Sequence, residues 1–287
     1  MEDYLAVSAR FVTDEGFARG LAYRPEPTDV FISPYAKCGT TWMQQIVHGL
    51  RTGGDMAFDE ITRVTPWIEL AHDMGLPIPG DQPHPRAFKS HLSWDRIPKG
   101  GRYIVVLRDP VDACRSLFRF LEGWFFETGA IPIEAFAENY LARKEREGYW
   151  THAMSWWGVR DREDVLLLAF EHMKADLPGT VARVAAFIGI TDPAHIEIAI
   201  RQADFDFMKA HEHQFDDNIT RRTRNAAMGL PEGGTATKVH AGKVAGEAHL
   251  IGPELRRRFD ARWAETMGAT FGLAGYGDLL DALANPT

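Results

Sequence analysis

The chain is short of cysteine, has no surplus of positive charge and contains no long apolar run, and each shortage removes a class of protein. Two cysteines in 287 residues, Cys38 and Cys114, cannot build a disulfide framework or a four-cysteine zinc site, which favours a reducing compartment. Acidic residues number 40 against 32 basic ones, a formal net charge of −8, so the whole chain carries no electrostatic footprint of a nucleic-acid binder. A pocket for a small polyanion needs only a few cations and is not excluded. No apolar stretch reaches the ~20 residues that cross a bilayer. The N-terminal Met1-Glu2-Asp3-Tyr4 is acidic where a secretory signal is basic. The expectation is a cytoplasmic protein without a nucleic-acid or membrane partner.

What is present is ordinary globular material. Hydrophobic residues make up 45% and charged residues 25%, close to average usage and far from a disordered or coiled-coil composition. No internal repeat, low-complexity tract or linker appears, so residues 1–287 read as a single domain. Short apolar runs at 29–33, 86–89, 103–107 and 165–169 have the length and composition of buried strands. Helical spacing follows them: Trp42, Ile46, Val47 and Leu50 after the first, and Val111, Leu117, Phe118 and Leu121 after the third, where Pro110 suits a first helical turn. Strands alternating with helices predict an α/β fold with a central parallel sheet flanked by helices. From about residue 214 to 246 the chain is rich in Gly, Thr, Asn and Arg without a periodic apolar face, which predicts a long mobile loop of the lid type. Leu255, Phe259 and Trp263 at i, i+4 and i+8 predict a final amphipathic helix.

The strongest local signal is Ser33-Pro34-Tyr35-Ala36-Lys37-Cys38-Gly39-Thr40-Thr41-Trp42, a strand, a turn and a helix start. Unpaired backbone N–H groups at such a helix N-terminus form an anion cradle. Gly39 admits close approach, Thr40 and Thr41 add hydroxyls, and Lys37 adds a mobile charge. A Walker A loop is a different arrangement, with its lysine directly after the second glycine; here Lys37 precedes Gly39 by two residues.

This segment resembles the 5′-phosphosulfate loop (Tyr-Pro-Lys-Ser-Gly-Thr-Thr-Trp) of the sulfotransferases that use 3′-phosphoadenosine 5′-phosphosulfate (PAPS), with Ala36 for proline and Cys38 for serine. Further motifs follow in order. Lys89-Ser90-His91-Leu92 resembles the family's Lys-x-His-Leu segment, and Tyr103 to Ser116 its 3′-phosphate segment, with Arg108 and Ser116 at the family's spacing. Thr65 to Glu69 resembles the Pro-Trp stretch near the acceptor, and Phe170 to Lys174 a later cofactor segment. The resemblance spans about residues 28–270 and implies a P-loop-containing nucleotide hydrolase-like (sulfotransferase) fold.

By that resemblance, a sulfuryl group passes in line from PAPS to a hydroxyl or amine of a small-molecule acceptor, and positioning and electrostatics dominate the catalysis. It implies His91 as general base, with Lys37 and Lys89 as cations at the reacting centre. Lys37, Cys38, Gly39, Thr40, Thr41, Trp42, Arg108, Ser116, Phe170 and Phe205 would bind the cofactor. The family's C-terminal Arg-Lys-Gly falls on His240, Ala241 and Gly242, where only the glycine survives, so 3′-phosphate binding would lean on Arg108 and Ser116 unless Lys238, Lys243, Arg221, Arg222 or Arg224 compensates. Trp67, Phe118, Trp124 and Phe125, with Phe120 and Phe126 nearby, suggest an apolar acceptor pocket for phenols, sterols or hydrophobic alcohols. Trp42 is either an adenine-stacking ring or core. A thiol at a helix N-terminus can ionise easily, so Cys38 is a candidate redox-sensitive position, or a plain substitute for serine. His211-Glu212-His213 does not suit a metal, because i, i+2 side chains on a helix point apart. The expectation is PAPS as co-substrate and no metal, with monomer or homodimer undetermined. A P-loop nucleotide kinase and a catalytically silent nucleotide-binding member of the fold are the alternatives.

Overall fold

The computed structural model describes residues 1–143, 148–232, 238 and 251–284. Four parallel strands, β1 (Val30–Ile32), β2 (Ala87–Lys89), β3 (Arg102–Leu107) and β4 (Val165–Ala169), form one sheet in the order β2-β1-β3-β4. Phe31 lies in register with Phe88 on one side and Tyr103 on the other, and Val105 with Leu167. All four apolar runs of the sequence are strands. Their continuous apolar character is what a parallel sheet covered on both faces requires.

The two-residue period of a strand divides these side chains between two cores. Phe31, Phe88, Tyr103, Val105 and Leu167 enter the larger one, covered by the helices Pro110–Glu122, Ile133–Ala142, Tyr149–Trp157 and Pro253–Trp263. Val30, Ile32, Ala87, Ile104, Val106 and Leu168 enter the other, covered by Thr40–Thr52, Leu177–Ile188 and Pro193–Gln202. Leu255, Phe259 and Trp263 are buried, as their spacing predicts.

At the N-terminal ends of the strands a buried carboxylate ties the chain together. Asp29 takes two bonds from Arg86 (Nε 2.7 Å, an NH2 3.0 Å), one from the Tyr23 hydroxyl at 2.7 Å and one from the Glu26 N–H at 2.8 Å. The opposite, C-terminal ends run into residues 33–39, 90–92, 108–109 and 170. β1 connects to β2 on one side of the sheet while β3 lies on the other, so these ends flank the switch point where open α/β sheets hold ligands.

One expectation is corrected. Part of the stretch expected to be a mobile loop is the helix Asn218–Met228, closed by Gly229 at φ 74°. Its buried face is Ile219, Thr220, Arg221, Arg224, Asn225 and Met228, mostly polar residues satisfied by specific partners. Arg224, for example, donates to the carbonyls of Phe11 and Arg10, each at 2.8 Å. An apolar period cannot reveal a helix whose inner face is polar.

Candidate functional site

The loop after β1 reverses over Lys37 and Gly39. Lys37 has φ 65°, the only non-glycine residue with positive φ among those described, and Gly39 has φ 95°. An L-residue held there is strained by ~1–3 kcal/mol, and such strain collects at ligand clamps. Gly39 is also needed for space, since a Cβ would lie 3.1 Å from the Phe170 ring. Thr40 then opens the helix Thr40–Thr52 with its hydroxyl oxygen buried and without a partner among the described residues.

Lys37, Gly39, Thr40, Thr41, Trp42, Trp67, Lys89, His91, Arg108, Ser116, Phe118, Trp124, Phe125, Phe170 and Phe205 all line one cavity of about 2190 Å³. Ligand pockets for one small molecule are typically ~300–1,000 Å³, so this cavity has room for two. Most of the site residues expected from the sequence are therefore brought together. Three cations each sit on an aromatic face: Lys37 Nζ 4.2 Å from the Phe120 centroid, Lys89 Nζ 3.6 Å from Trp67, and the Arg108 guanidinium 4.4 Å from Phe170. Burial, with Lys238 nearby, lowers the ammonium of Lys37 to about 7 and that of Lys89 to about 8.

Arg108 follows β3, donates to the Lys37 carbonyl at 2.9 Å, and keeps a buried Nε without a partner among the described residues. Ser116 lies further along the helix that Asp109 caps by accepting from the N–H groups of Val111 and Asp112. The unpartnered Arg108 Nε, with Ser116 on the same cavity wall, fits an anionic ligand. Trp42 lines the cavity, packs against both adjoining apolar clusters and donates its indole N–H to Ala203 at 2.7 Å. It is therefore wall and core at once. Phe205, 45% exposed, stands at the rim.

His91 is placed by β2. Its backbone N–H donates to Glu69 Oε1 at 2.6 Å, and its Nδ1 lies 2.7 Å from the Pro34 carbonyl. A carbonyl only accepts, so Nδ1 carries the proton and Nε2 keeps its lone pair. Burial, then the Lys89 ammonium, pushes His91 down to about 3, so the imidazole is neutral. Pro66 and Ile68 pair with Lys89 along the edge of β2, which brings Trp67 edge-on to His91 with centroids 5.0 Å apart.

Phe11, Trp67, Phe118, Trp124 and Phe125 give one part of the cavity an aromatic lining. Phe126 instead packs against Tyr4, Phe118 and Phe136. The wall contributed by the N-terminal helices Glu2–Ser8 and Asp14–Leu21 and their connection, including Tyr4, Phe11 and Val12, was not visible in the sequence, because nothing local marks a helix as a pocket wall. Asp217 was missed for the same reason.

Two expectations change. Cys38 is wholly buried, its N–H bonded to the Tyr35 carbonyl, and burial raises its thiol to about 12. The helix terminus does not activate it, because its side chain points into the core. Arg221 and Arg224 are buried in the helix Asn218–Met228 and do not belong to a mobile loop. His240, Ala241, Gly242 and Lys243 lie outside the described residues. Among the described residues no group of three or more His, Cys, Asp or Glu is arranged to hold a metal ion, and no helix is long and apolar enough to cross a membrane.

Comparison with known proteins bears on the family and the fold. Residues 27–271 match the family model described as Sulfotransferase domain. Sulfotransferase 2A1 of Macaca fascicularis is 27% identical over 194 residues, covering 64% of this chain and 67% of that one. Sulfotransferase 1C2 of Homo sapiens is 27% identical over 210 residues, covering 69% and 71%. Among solved structures, mouse sulfotransferase SULT7A1 complexed with PAP superposes with a TM-score of 0.68 at 20% identity, covering 94% of each chain. Retinol dehydratase in complex with androsterone and PAP gives 0.67 at 19% identity, covering 90% and 87%. The doubly covered parallel sheet of the present chain is the fold of those proteins. With its family model matched over most of its length, the chain belongs to the sulfotransferase domain family, enzymes that transfer a sulfuryl group to small acceptors.

Proposed function

We propose that this sulfotransferase takes the sulfuryl group of PAPS and delivers it to a hydroxyl, or an amine, of a small apolar or aromatic acceptor, with His91 as general base. The observation that carries the reading is His91 itself: its Nδ1–H is committed to the Pro34 carbonyl, so Nε2 is free to accept a proton inside a cavity large enough for two ligands.

The residues divide the work by position. Backbone N–H groups at the start of Thr40–Thr52, the Thr40 and Thr41 hydroxyls and Lys37 suit the 5′-phosphosulfate. Arg108 and Ser116 suit the 3′-phosphate, and Trp42, Phe170 and Phe205 offer ring faces and edges to the adenine. Trp67, Phe118, Trp124 and Phe125 receive the acceptor's apolar body, which favours phenols and hydrophobic alcohols over saccharides. In the reaction the acceptor oxygen forms a bond to sulfur while the bond from sulfur to the 5′-phosphate oxygen breaks. The acceptor's proton passes to His91 Nε2, and the leaving group is PAP. Lys37 and Lys89, which line the same cavity, would offset the negative charge that grows on the leaving oxygen, the type of fixed charge that contributes most to such reactions. Glu69 holds the backbone of His91 and is a positioning residue.

The test is turnover of PAPS with a panel of phenols and hydrophobic alcohols, beside PAP titration. His91→Ala is expected to lower kcat by about 10²–10⁴-fold, the contribution of a positioned general base, while PAP affinity stays within about threefold. Preserved turnover with lost PAP affinity would overturn the assignment of His91.

A further inference from the structure

The cavity contains one buried ion pair that this division of labour leaves unused. Asp217, immediately before the helix Asn218–Met228, accepts from Lys238 Nζ at 2.5 Å, and the two side chains are only 4% and 9% exposed. The preceding Asp216 accepts the backbone N–H of Lys238 at 2.9 Å. Two successive carboxylates therefore hold both the main chain and the ammonium of one lysine. Asp217 and Lys238 line the cavity together with Lys37, Lys89 and His91.

We propose that Lys238, positioned by Asp217, is a third cation of the sulfuryl-transfer centre, and that the Asp217–Lys238 pair sets how strongly the cavity draws the anionic donor. The inference rests on the reading of this cavity as the PAPS site. A buried ion pair is rarely the most stable way to fill space, because well-packed apolar residues often serve as well. One kept at a cavity wall among other charges invites a reason beyond stability. Without Lys238, Asp217 would present a bare carboxylate to an incoming phosphosulfate; with it, the cavity gains a positive end whose direction two anchors fix.

The charges of the pair act on both lysines assigned to the reacting centre, which line the same cavity. Burial raises the Asp217 carboxyl, yet Lys238, Lys89 and Lys37 together outweigh it and hold the group at about 2. Lys37 feels Lys238, Asp217, Arg108 and Lys89, and Lys89 feels Lys238, Asp217, Glu69 and Glu60. On both lysines the members of the pair act oppositely: Lys238 lowers the ammonium and Asp217 raises it. The phosphosulfate binds the protonated lysines, so each member should move the pH dependence of anion binding in its own direction.

Calorimetric titration with PAP across about pH 6–9 reads this out. In the wild type, affinity should fall as pH rises through the range where free Lys37 and Lys89 lose their protons. Lys238→Met should weaken binding at the acid end by about tenfold or more, the scale of a lost hydrogen bond to a charged group, and shift the falling limb to higher pH. Asp217→Asn should shift the limb to lower pH, and Lys238→Arg should restore the wild-type limb. The double variant Asp217→Asn/Lys238→Met, which removes both charges and so leaves none unpaired, should place its limb between those of the single variants. A wild-type limb in every variant, with only a uniform loss of affinity, would reduce the pair to structure and overturn the inference. A wild type that binds no PAP at any pH would overturn the donor reading, and this inference with it.

Discussion

Gly39→Ala tests whether the loop's geometry or its charge is what binds the donor. Residue 39 has φ 95°, a conformation that strains an L-residue by roughly 1–2 kcal/mol. The new Cβ would also stand 3.1 Å from Phe170, whose ring carries the Arg108 guanidinium at 4.4 Å. Either the ring or the loop must give by a few tenths of an ångström, and Arg108 is bonded to the Lys37 carbonyl in the same loop. At ~2 °C per kcal/mol for a protein of this size, the melting temperature should fall by about 2–4 °C. PAP affinity should fall by about tenfold, or 1.4 kcal/mol, because the displaced ring supports the cation proposed for the 3′-phosphate. Gly53→Ala is the matched control. Gly53 ends the same helix at φ 66°, and its Cβ would meet only the end of the His195 side chain, at 2.8 Å. The control should melt lower by a similar amount and bind PAP normally. Equal PAP affinity in Gly39→Ala and wild type, or an equal loss in Gly53→Ala, would refute the reasoning.

Mild peroxide should leave activity unchanged, since the Cys38 thiol is buried and raised to about 12; inactivation that Cys38→Ser abolishes would contradict this. Asp29→Asn should cost about 1–3 kcal/mol of stability, the scale of weakened bonds at a buried polar group, since Arg86 loses one carboxylate partner and keeps Glu26 at 2.9 Å, while PAP affinity is retained because the pair lies at the far end of the strands. A chemical-denaturation midpoint beside a PAP titration checks both halves. Steady-state rates should depend on pH differently in their two forms. Lys37 and Lys89 are lowered to about 7 and about 8 in the free protein and lose charge above those values, so kcat/KM for PAPS, which reports the free enzyme, should decline as pH rises through that window. In the complex the donor's negative charge raises both ammonium groups, so kcat should hold to higher pH; a parallel decline of the two would count against the assignment.

How much of this was legible in the sequence depended on whether the signal was local. The four strands were, because a doubly covered parallel strand is a continuous apolar run. So was the loop between β1 and its helix, because Lys37, Gly39 and Thr40 are neighbours. The helix Asn218–Met228 was not: besides Ile219 and Met228 its inner face is Thr220, Arg221, Arg224 and Asn225, residues that bury only where particular carbonyls and rings await them. The end of the cavity proposed for the acceptor was half legible. Trp67 could be named from its motif and Phe118, Trp124 and Phe125 from the local density of aromatic residues, whereas Tyr4 and Phe11 join them only through tertiary packing. Cys38 had two readings in the sequence, a redox-sensitive thiol or a plain substitute for serine; the side chain's direction, which no spacing rule supplies, puts the thiol in the core and favours the second.

The cations lining the cavity show how an acidic chain can build the proposed polyanion pocket. An ammonium or guanidinium buried alone is unfavourable, and the usual remedy is a carboxylate. A carboxylate would satisfy the charge and also compete with the ligand. Lys37, Lys89 and Arg108 are instead laid over Phe120, Trp67 and Phe170, and a ring face stabilises a cation by about 0.5–2 kcal/mol without neutralising it. Their charge stays available to an anion that arrives later. Part of the aromatic content that reads in the sequence as acceptor pocket or bulk core therefore has a second task, holding positive charge in readiness. Lys238 is the exception that fits the same logic. Among the described residues it alone of these cations is tied to a carboxylate, at 2.5 Å, so it is the one whose proposed contribution to anion binding depends on a partner's charge as well as its own.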